Sequence, residues 1–360
     1  MSLKIFAVGD IMLGEQPLCE NSGVAGIIRR KGAGILFEEV EPLFRTGDLV
    51  FGNLECSFGM GALKNHPRFF CADPAAVQSL KDAHFTVLSV ANNHTMGNGR
   101  VFFQNTVHLL RDHGITPAGV RGARDVINVK GYRVAVLAYS LIEDPEENPC
   151  CNTLPSEESI LDDIAAVRPV SDLVMVAVHW GCEWFSYPSP DQVRIGRRLV
   201  DAGADIVLGG HPHVTQSYEM YRNRAIIYSP GNFIFDEAFI SRPRESFIAE
   251  IDTGDTPDSL RVNLVPVLID ARTCRPVLPD PARREEFLRA DAEVRAAFEN
   301  RSLAEYQDFI GDYNRRCGEK RRKARRDMAV HFIKNLYRYS WSNAVSIVKK
   351  FFRKQKRGRV

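Results

Sequence analysis

Short apolar runs recur along the first 270 residues: LKIFAVG at 3–9, DLVFGNL at 48–54, FTVLSVA at 85–91, RVAVLAYS at 133–140, DLVMVAVHW at 172–180 and DIVLGG at 205–210. Each is rich in Val, Leu, Ile or Phe and shorter than an ordinary helix. Continuous apolar character over so few residues fits strands buried on both faces. Between them lie segments with helical character at 34–45, 73–83, 100–113, 156–167 and 190–202. Asp73-Pro74 makes a helix start, an N-cap followed by proline at the first helical position. Asp191 opens DQVRIGRRLVDAG, which Gly203 closes as a C-cap. Strand and helix in alternation predict an α/β fold.

The alternation breaks in two places. VINVKGYRVAVLAYS at 126–140 reads as a hairpin around Lys130-Gly131, and SYEMYRNRAIIYS at 217–229 as another around Arg222-Asn223. FIAEID at 247–252 and RVNLVPVLID at 261–270 add two strands with no helix between them. Hairpins inside a βα pattern predict a mixed sheet, or two sheets packed together. After about residue 280 the chain turns helical, with candidates at 281–299 and 302–317. The division expected is an α/β domain at 1–272, a helical extension at 273–319 and a basic amphipathic tail at 320–360.

Composition narrows the class. With 44% hydrophobic and 26% charged residues among 360, the chain is not a disordered polymer. No uncharged apolar stretch reaches the ~18 residues that span a bilayer. The start, MSLKIFAVGD, reads as strand and lacks a signal peptide's basic n-region, apolar core and cleavage site. Eight cysteines show no CxxC pair, so reduced, buried thiols and a cytoplasmic location are expected. The net charge of +2 hides an asymmetry: residues 320–360 hold 15 of the 47 Lys and Arg and one of the 45 acidic residues. The tail is therefore +14 and the rest −12. Only the tail suits an anionic surface.

Polar residues gather where the strands end. The first run ends in Gly9-Asp10, the second in Asn53-Leu54-Glu55 and the third in Asn92-Asn93-His94. The fifth ends in His179 and the sixth in His211-Pro212-His213. Each fragment alone also suits a turn, a cap or a satisfied histidine. Strand ends of α/β sheets form ligand crevices, and five of them would assemble Asp, Glu, Asn and His donors. These suit zinc, manganese or iron rather than calcium. One residue between His211 and His213 puts both imidazoles on the same side of an extended chain.

GDIMLG, GNLE, ANNH, HWGCEW, GGHPHV and YSPGNFIFD occur in the order found in the capsule-synthesis CapA family, also called the poly-γ-glutamate capsule family. The chain resembles that family over roughly residues 3–250. The resemblance implies a branch of the calcineurin-like metallophosphoesterases: a sandwich of two mixed β-sheets flanked by helices, here with a helical C-terminal extension. It also implies one or two divalent metal ions. On it, Asp10, Asn53, Glu55, Asn93, His179, His211 and His213 are candidate ligands. Met12 stands where the phosphoesterases have a histidine, Asn53 where they have a bridging aspartate, Asn92 for a glycine, and Gly97 where the family commonly has aspartate. These departures point to a reduced site. YSPGNFIFD is implied to line the site, with Asn232 inside it.

A bound divalent ion lowers the pKa of its water toward ~7 and supplies hydroxide for attack on a phosphoryl group or carbonyl carbon. His94 is assigned as general acid. Glu183 is expected to orient a ligand histidine, and Lys64 and Arg68 to face an anionic substrate. Two functions compete: a metal-dependent hydrolase of an anionic polymer or phosphoester, and a noncatalytic factor that binds polyglutamate or assists capsule assembly and export. In the tail, Val345, Val348 and Phe352, with Ile347 and Phe351, fall at helical spacing among lysines and arginines. A basic amphipathic helix on the inner face of the membrane is expected. A helix packed on the body with a solvated basic face is the alternative. Nucleic acid has no supporting motif and is not expected as a partner.

Overall fold

Ile5 and Ala7 point to one side of the first strand, Phe6 and Val8 to the other, and all four are buried. That alternation sets the architecture, because each side of the strand meets a different layer. The computed structural model describes residues 2–20, 22–59, 70–142, 150–236, 244–255, 259–270, 272–299 and 301–357, with side chains up to Lys349.

The first large sheet contains β1 (Lys4–Ile11), β2 (Leu49–Leu54), β5 (Val87–Ser89), β6 (Thr116–Ala118), β13 (Asn232–Ile234), β14 (Glu245–Asp252), β15 (Arg261–Ile269) and β16 (Pro276–Val277). Its order is β16-β15-β14-β1-β2-β5-β6, with β13 pairing parallel to β1. The second holds β7 (Asp125–Val129), β8 (Tyr132–Ser140), β9 (Leu173–His179), β10 (Ile206–Gly210), β11 (Thr215–Tyr221) and β12 (Arg224–Pro230), ordered β11-β12-β10-β9-β8-β7. The short strands β3 (Ser57–Phe58) and β4 (Cys71–Ala72) form a separate pair. Both large sheets are mixed. β1, β2, β5 and β6 run parallel, as do β8, β9, β10 and β12, while β14–β15, β7–β8 and β11–β12 are antiparallel.

The sheets face each other across one apolar layer. Ile5, Ala7 and Phe51 from the first meet Val136, Ala177 and Ile227 from the second. The outer face of the first sheet is covered by α1 (Val24–Lys31), α2 (Glu41–Phe44), α3 (Val77–Asp82) and α4 (Arg100–Asp112), through a core that includes Phe6, Phe44, Leu80 and Leu110. The outer face of the second is covered by α5 (Glu157–Val167) and α6 (Pro190–Asp201). Downstream follow α7 (Pro281–Ala296), α8 (Leu303–Ile310), α9 (Tyr313–Lys334) and α10 (Trp341–Arg357). Phe298, Tyr306, Ile310 and Cys317 join the same core as α5 and α6. The expected sandwich of two mixed sheets flanked by helices is therefore the fold observed.

The six apolar runs are β1, β2, β5, β8, β9 and β10. Both hairpins form where expected, with Lys130-Gly131 and Arg222-Asn223 all at positive φ, as two-residue turns between twisted strands require. Three helix expectations need correction. The 34–45 segment is a 3-10 turn at Gly34–Leu36 followed by the single turn α2. The 302–317 helix is split at Gly311, whose φ of 60° ends α8. Ser189, not Asp191, caps α6, in a reciprocal capping box with Gln192. Six of the eight cysteines are buried. Among the described residues no helix is long and apolar enough to cross a membrane.

Candidate metal centre

Parallel pairing brings the polar strand ends to one edge. Asp10 stands opposite Asn53 on one side and Asn232 on the other, and Gly210 opposite His179. The close approach of the two sheets depends on glycine. A Cβ on Gly9 would sit 1.7 Å from the carbonyl oxygen of Gly231, and one on Gly210 would sit 3.0 Å from Asp10 Oδ1.

Two overlapping clusters result, Glu55 with His179 and His211, and Asp10 with Glu55 and His213; within each, the donor atoms lie within 4.8 Å of one another. Glu55 is common to both. Its Oε1 is 3.7 Å from His179 Nε2 and 4.0 Å from His213 Nε2. Asp10 Oδ2 is 3.2 Å from His213 Nδ1 and accepts from the backbone N–H of His211 at 3.3 Å. The His179 and His211 rings meet edge-on at 4.9 Å. The chain at His211 and His213 is not extended, contrary to the expectation from their spacing. Both residues have positive φ, 93° and 57°. This sparsely populated backbone turns both rings toward the cluster, the kind of strain that accumulates at functional sites.

The histidines divide electrostatically. Burial, with the other histidines adding to it, drives His179 well below the usual imidazole range. Burial also drives His211 down to about 4, against the pull of Glu183. Both rings are therefore neutral near pH 7, as ligands must be. For His213 burial also opposes charge, but Glu55 and Asp10 outweigh it and hold the ring up at about 10. A proton on His213 thus takes the electrostatic place of a cation between two buried carboxylates. The donor set fits a divalent ion: two neutral imidazoles, two carboxylates, and a buried Nδ1 on His211 without a hydrogen-bond partner among the described residues.

The remaining candidates surround this core. Asn93 Oδ1 is 3.0 Å from His179 Nε2, so Asn93 is within the cluster. Asn53 donates its Nδ2 to Asp10 Oδ1 at 2.8 Å and turns its Oδ1 to Asn92 Nδ2 at 3.2 Å. In this orientation Asn53 positions Asp10, and only a flipped amide would present oxygen to an ion. His94 is at the rim, with its side chain 22% exposed against 2% for His179. Its Nε2 is 3.7 Å from Glu55 Oε1, and its ring stacks on Phe70 at 3.9 Å. Asn232 Oδ1 lies 2.8 Å from His213 Nδ1. Glu183 is half-buried and its charge favours protonated His211 and His213. Trp184, beside it, donates its backbone N–H to Pro212 at 2.7 Å. Lys64 and Arg68 lie outside the described residues. Met12 is buried in the helix-side core rather than facing the donors.

The structure gives Asn92, read in the sequence only as a cap or a replaced glycine, a positioning role, and adds Asp236, which the sequence reading does not single out. Asn92 is fully buried; it donates to Leu54 O at 2.8 Å and accepts from the backbone N–H groups of His94 at 3.1 Å and Thr95 at 3.0 Å. It ties the end of β5 to β2 and sets the backbone of His94. An asparagine two residues before the one it orients is an Asx-turn signal in sequence. Asp236, at the end of YSPGNFIFD, accepts from the N–H of Val24 at 2.6 Å and so caps α1 across 212 residues. Burial pushes its carboxyl up to about 7. Nothing local in sequence announces such a cap.

Comparison with known proteins adds an independent line. The model of the family described as bacterial capsule synthesis protein PGA_cap matches residues 4–237. The chain is 31% identical over 296 residues to the capsule biosynthesis protein CapA of Bacillus anthracis, covering 76% of this chain and 69% of that one. It is 31% identical over 298 residues to the PGA biosynthesis protein CapA of Bacillus subtilis strain 168, covering 78% and 76%. A crystal structure of 5'-nucleotidase from Candida albicans aligns with TM-score 0.42 and 14% identity, over 81% of this chain and 58% of that one.

Proposed function

The chain belongs to the bacterial capsule synthesis PGA_cap family, and from that premise we propose that it is a metal-dependent hydrolase of an anionic capsule polymer or a phosphoester. The observation that carries this reading is the pair of donor clusters sharing Glu55. A divalent ion there would polarise a bound oxygen and acidify water at neutral pH. Asp10, Glu55, His179, His211 and His213 would hold it, and a shared Glu55 suits one ion or two. Asn53 fixes Asp10 through the 2.8 Å bond, and Asn93 orients His179. His94, half-buried at the rim, is the least buried histidine of the site; it would meet a substrate from the solvent side and donate a proton to the leaving group. Phe70 and the Asn92 turn hold its ring and backbone.

The polymer side of the reading is supported by a groove of about 530 Å³ that runs beside α4. Arg100, Arg111, His108 and Arg121 line it with Phe103 and Val107, a surface suited to a chain of carboxylates. Arg100 directly follows the His94 loop. A second reading, an accessory factor that binds polymer without cleaving it, is favoured by buried Met12 and by the Asn53 amide facing Asp10. Metal content of purified protein, followed by hydrolysis assays on γ-glutamyl polymer and aryl phosphate, separates the two. Metal with turnover supports the hydrolase; polymer binding with no turnover under any divalent ion supports the accessory role.

A further inference from the structure

The C-terminal arm has two opposed faces. On the inward face Ile347, with Met328, Phe332 and Tyr339, packs on Leu18 and Cys19 of the turn Pro17–Cys19. Polar bonds fix the same contact. Asn343 donates to Pro17 O at 3.1 Å and to Glu20 at 2.7 Å, and the Tyr339 hydroxyl to Leu18 O at 3.1 Å. The Pro17–Cys19 turn lies on the segment that leaves Asp10 at the end of β1. The arm is therefore seated on the segment that follows Asp10 in the chain.

The outward face is apolar where solvent would favour polar groups. Val330 and Ile333 on α9, Leu336 and Tyr337 in the turn after it, and Trp341 and Val348 on α10 are exposed, Trp341 at 84% and Tyr337 at 79%. Among the described residues these six are half of all exposed large hydrophobic side chains, so the clustering is not ordinary surface scatter. Exposed Arg322 and Arg326 share the helical side of Val330 and Ile333. The surrounding residues 320–360 carry 15 cationic side chains against one acidic one.

We propose that this outward face seats the protein on an anionic bilayer surface, with Trp341, Tyr337 and Ile333 at headgroup depth and the arm's cations against lipid phosphates. Positive charge alone would serve any polyanion. Ile333, Leu336 and Val348 decide between them: aliphatic side chains offer a nucleic-acid base no stacking face, but they partition into the headgroup–acyl boundary. The inward bonds to the Pro17–Cys19 turn make the arm a rigid mount, so the metal centre is oriented at the bilayer instead of trailing from a tether. This inference rests on the arm alone and stands apart from the hydrolase reading.

The test is flotation of the full chain with vesicles of phosphatidylcholine, alone or with about 30% phosphatidylglycerol, at about 0.15 M salt. Partitioning to the anionic vesicles only is expected, reduced about tenfold in Ile333→Ser/Trp341→Ser and more than about a hundredfold in Arg322→Glu/Arg326→Glu, a change of four charge units. Both pairs are exposed, and an unchanged melting transition checks their folds. Quenching of tryptophan emission by brominated lipid, present in the parent and lost in Trp341→Phe, reports insertion, because Trp180 is buried in the core under α5 and α6 and Trp184 is half-buried beside Glu183. Absence of partitioning, equal partitioning by parent and both variants, or unquenched emission would overturn the proposal. So would RNA binding as tight as vesicle binding and indifferent to Ile333→Ser/Trp341→Ser.

Discussion

At the strand ends, Asp10, Glu55, His179, His211 and His213 are each at most 7% exposed, with charges of both signs a few ångströms apart. Along 320–334 the cations Lys320 through Lys334 stand in solvent, almost all of one sign. Water screens charge on the arm, so its cations act as a sum and each is dispensable. The interior screens little, so a buried atom such as His211 Nδ1, which has no hydrogen-bond partner among the described residues, is costly unless an ion meets it, and each residue there should matter individually. The same residue types thus obey a collective rule in one region and a particular rule in the other.

The largest effect expected is at the centre. His211→Ala should remove the metal and reduce turnover to background, read by elemental analysis and by hydrolysis of the active substrate. Full metal occupancy in that variant would mean that the cluster is not the binding site. His94→Ala should keep the metal and lose ~10²–10⁴-fold in kcat, the usual worth of general acid catalysis. A parent-like rate would reassign the acid.

Metal affinity should rise with pH. Below about 10, His213 carries a proton that an incoming ion must displace, whereas His179 and His211, both driven down by burial, release none between pH 6 and 8. One proton per ion makes the dissociation constant fall about tenfold per pH unit, or about 100-fold across that window. Competition titrations with a fluorescent chelator measure it, and a flat profile would remove His213 from the ligands. The smallest effect belongs to the arm. Any single substitution such as Arg326→Ala should weaken anionic-vesicle binding by about 1 kcal/mol, near fivefold. An effect as large as that of His94→Ala on turnover would erase the contrast between the regions.

The apolar runs placed β1, β2, β5, β8, β9 and β10 because interior parallel strands are buried on both faces, which leaves an unbroken local signature. The same signal fails for β6, β13 and β16, whose two or three residues are too few to show a period. It overcounts at 34–45, where Gly34 and Pro42 break the helix into turns. At the site, the donor types were legible at five strand ends. The separate roles of Asn53 and Asn92 were not, because an amide presents oxygen or nitrogen according to its neighbours.

By itself the sequence determined the alternating strands and helices, the identity of the buried donors and the concentration of positive charge after residue 320. Each of these is written within a few neighbouring residues. Tertiary structure alone decided that donors from two different sheets meet, since Asp10 and His211 are 201 residues apart and touch only once the sheets have packed. It also decided the left-handed backbone at His211 and His213, the long-range cap from Asp236 to Val24, and which face of the arm is turned inward. Those outcomes depend on contacts between distant segments, and no local pattern of polar and apolar residues encodes them.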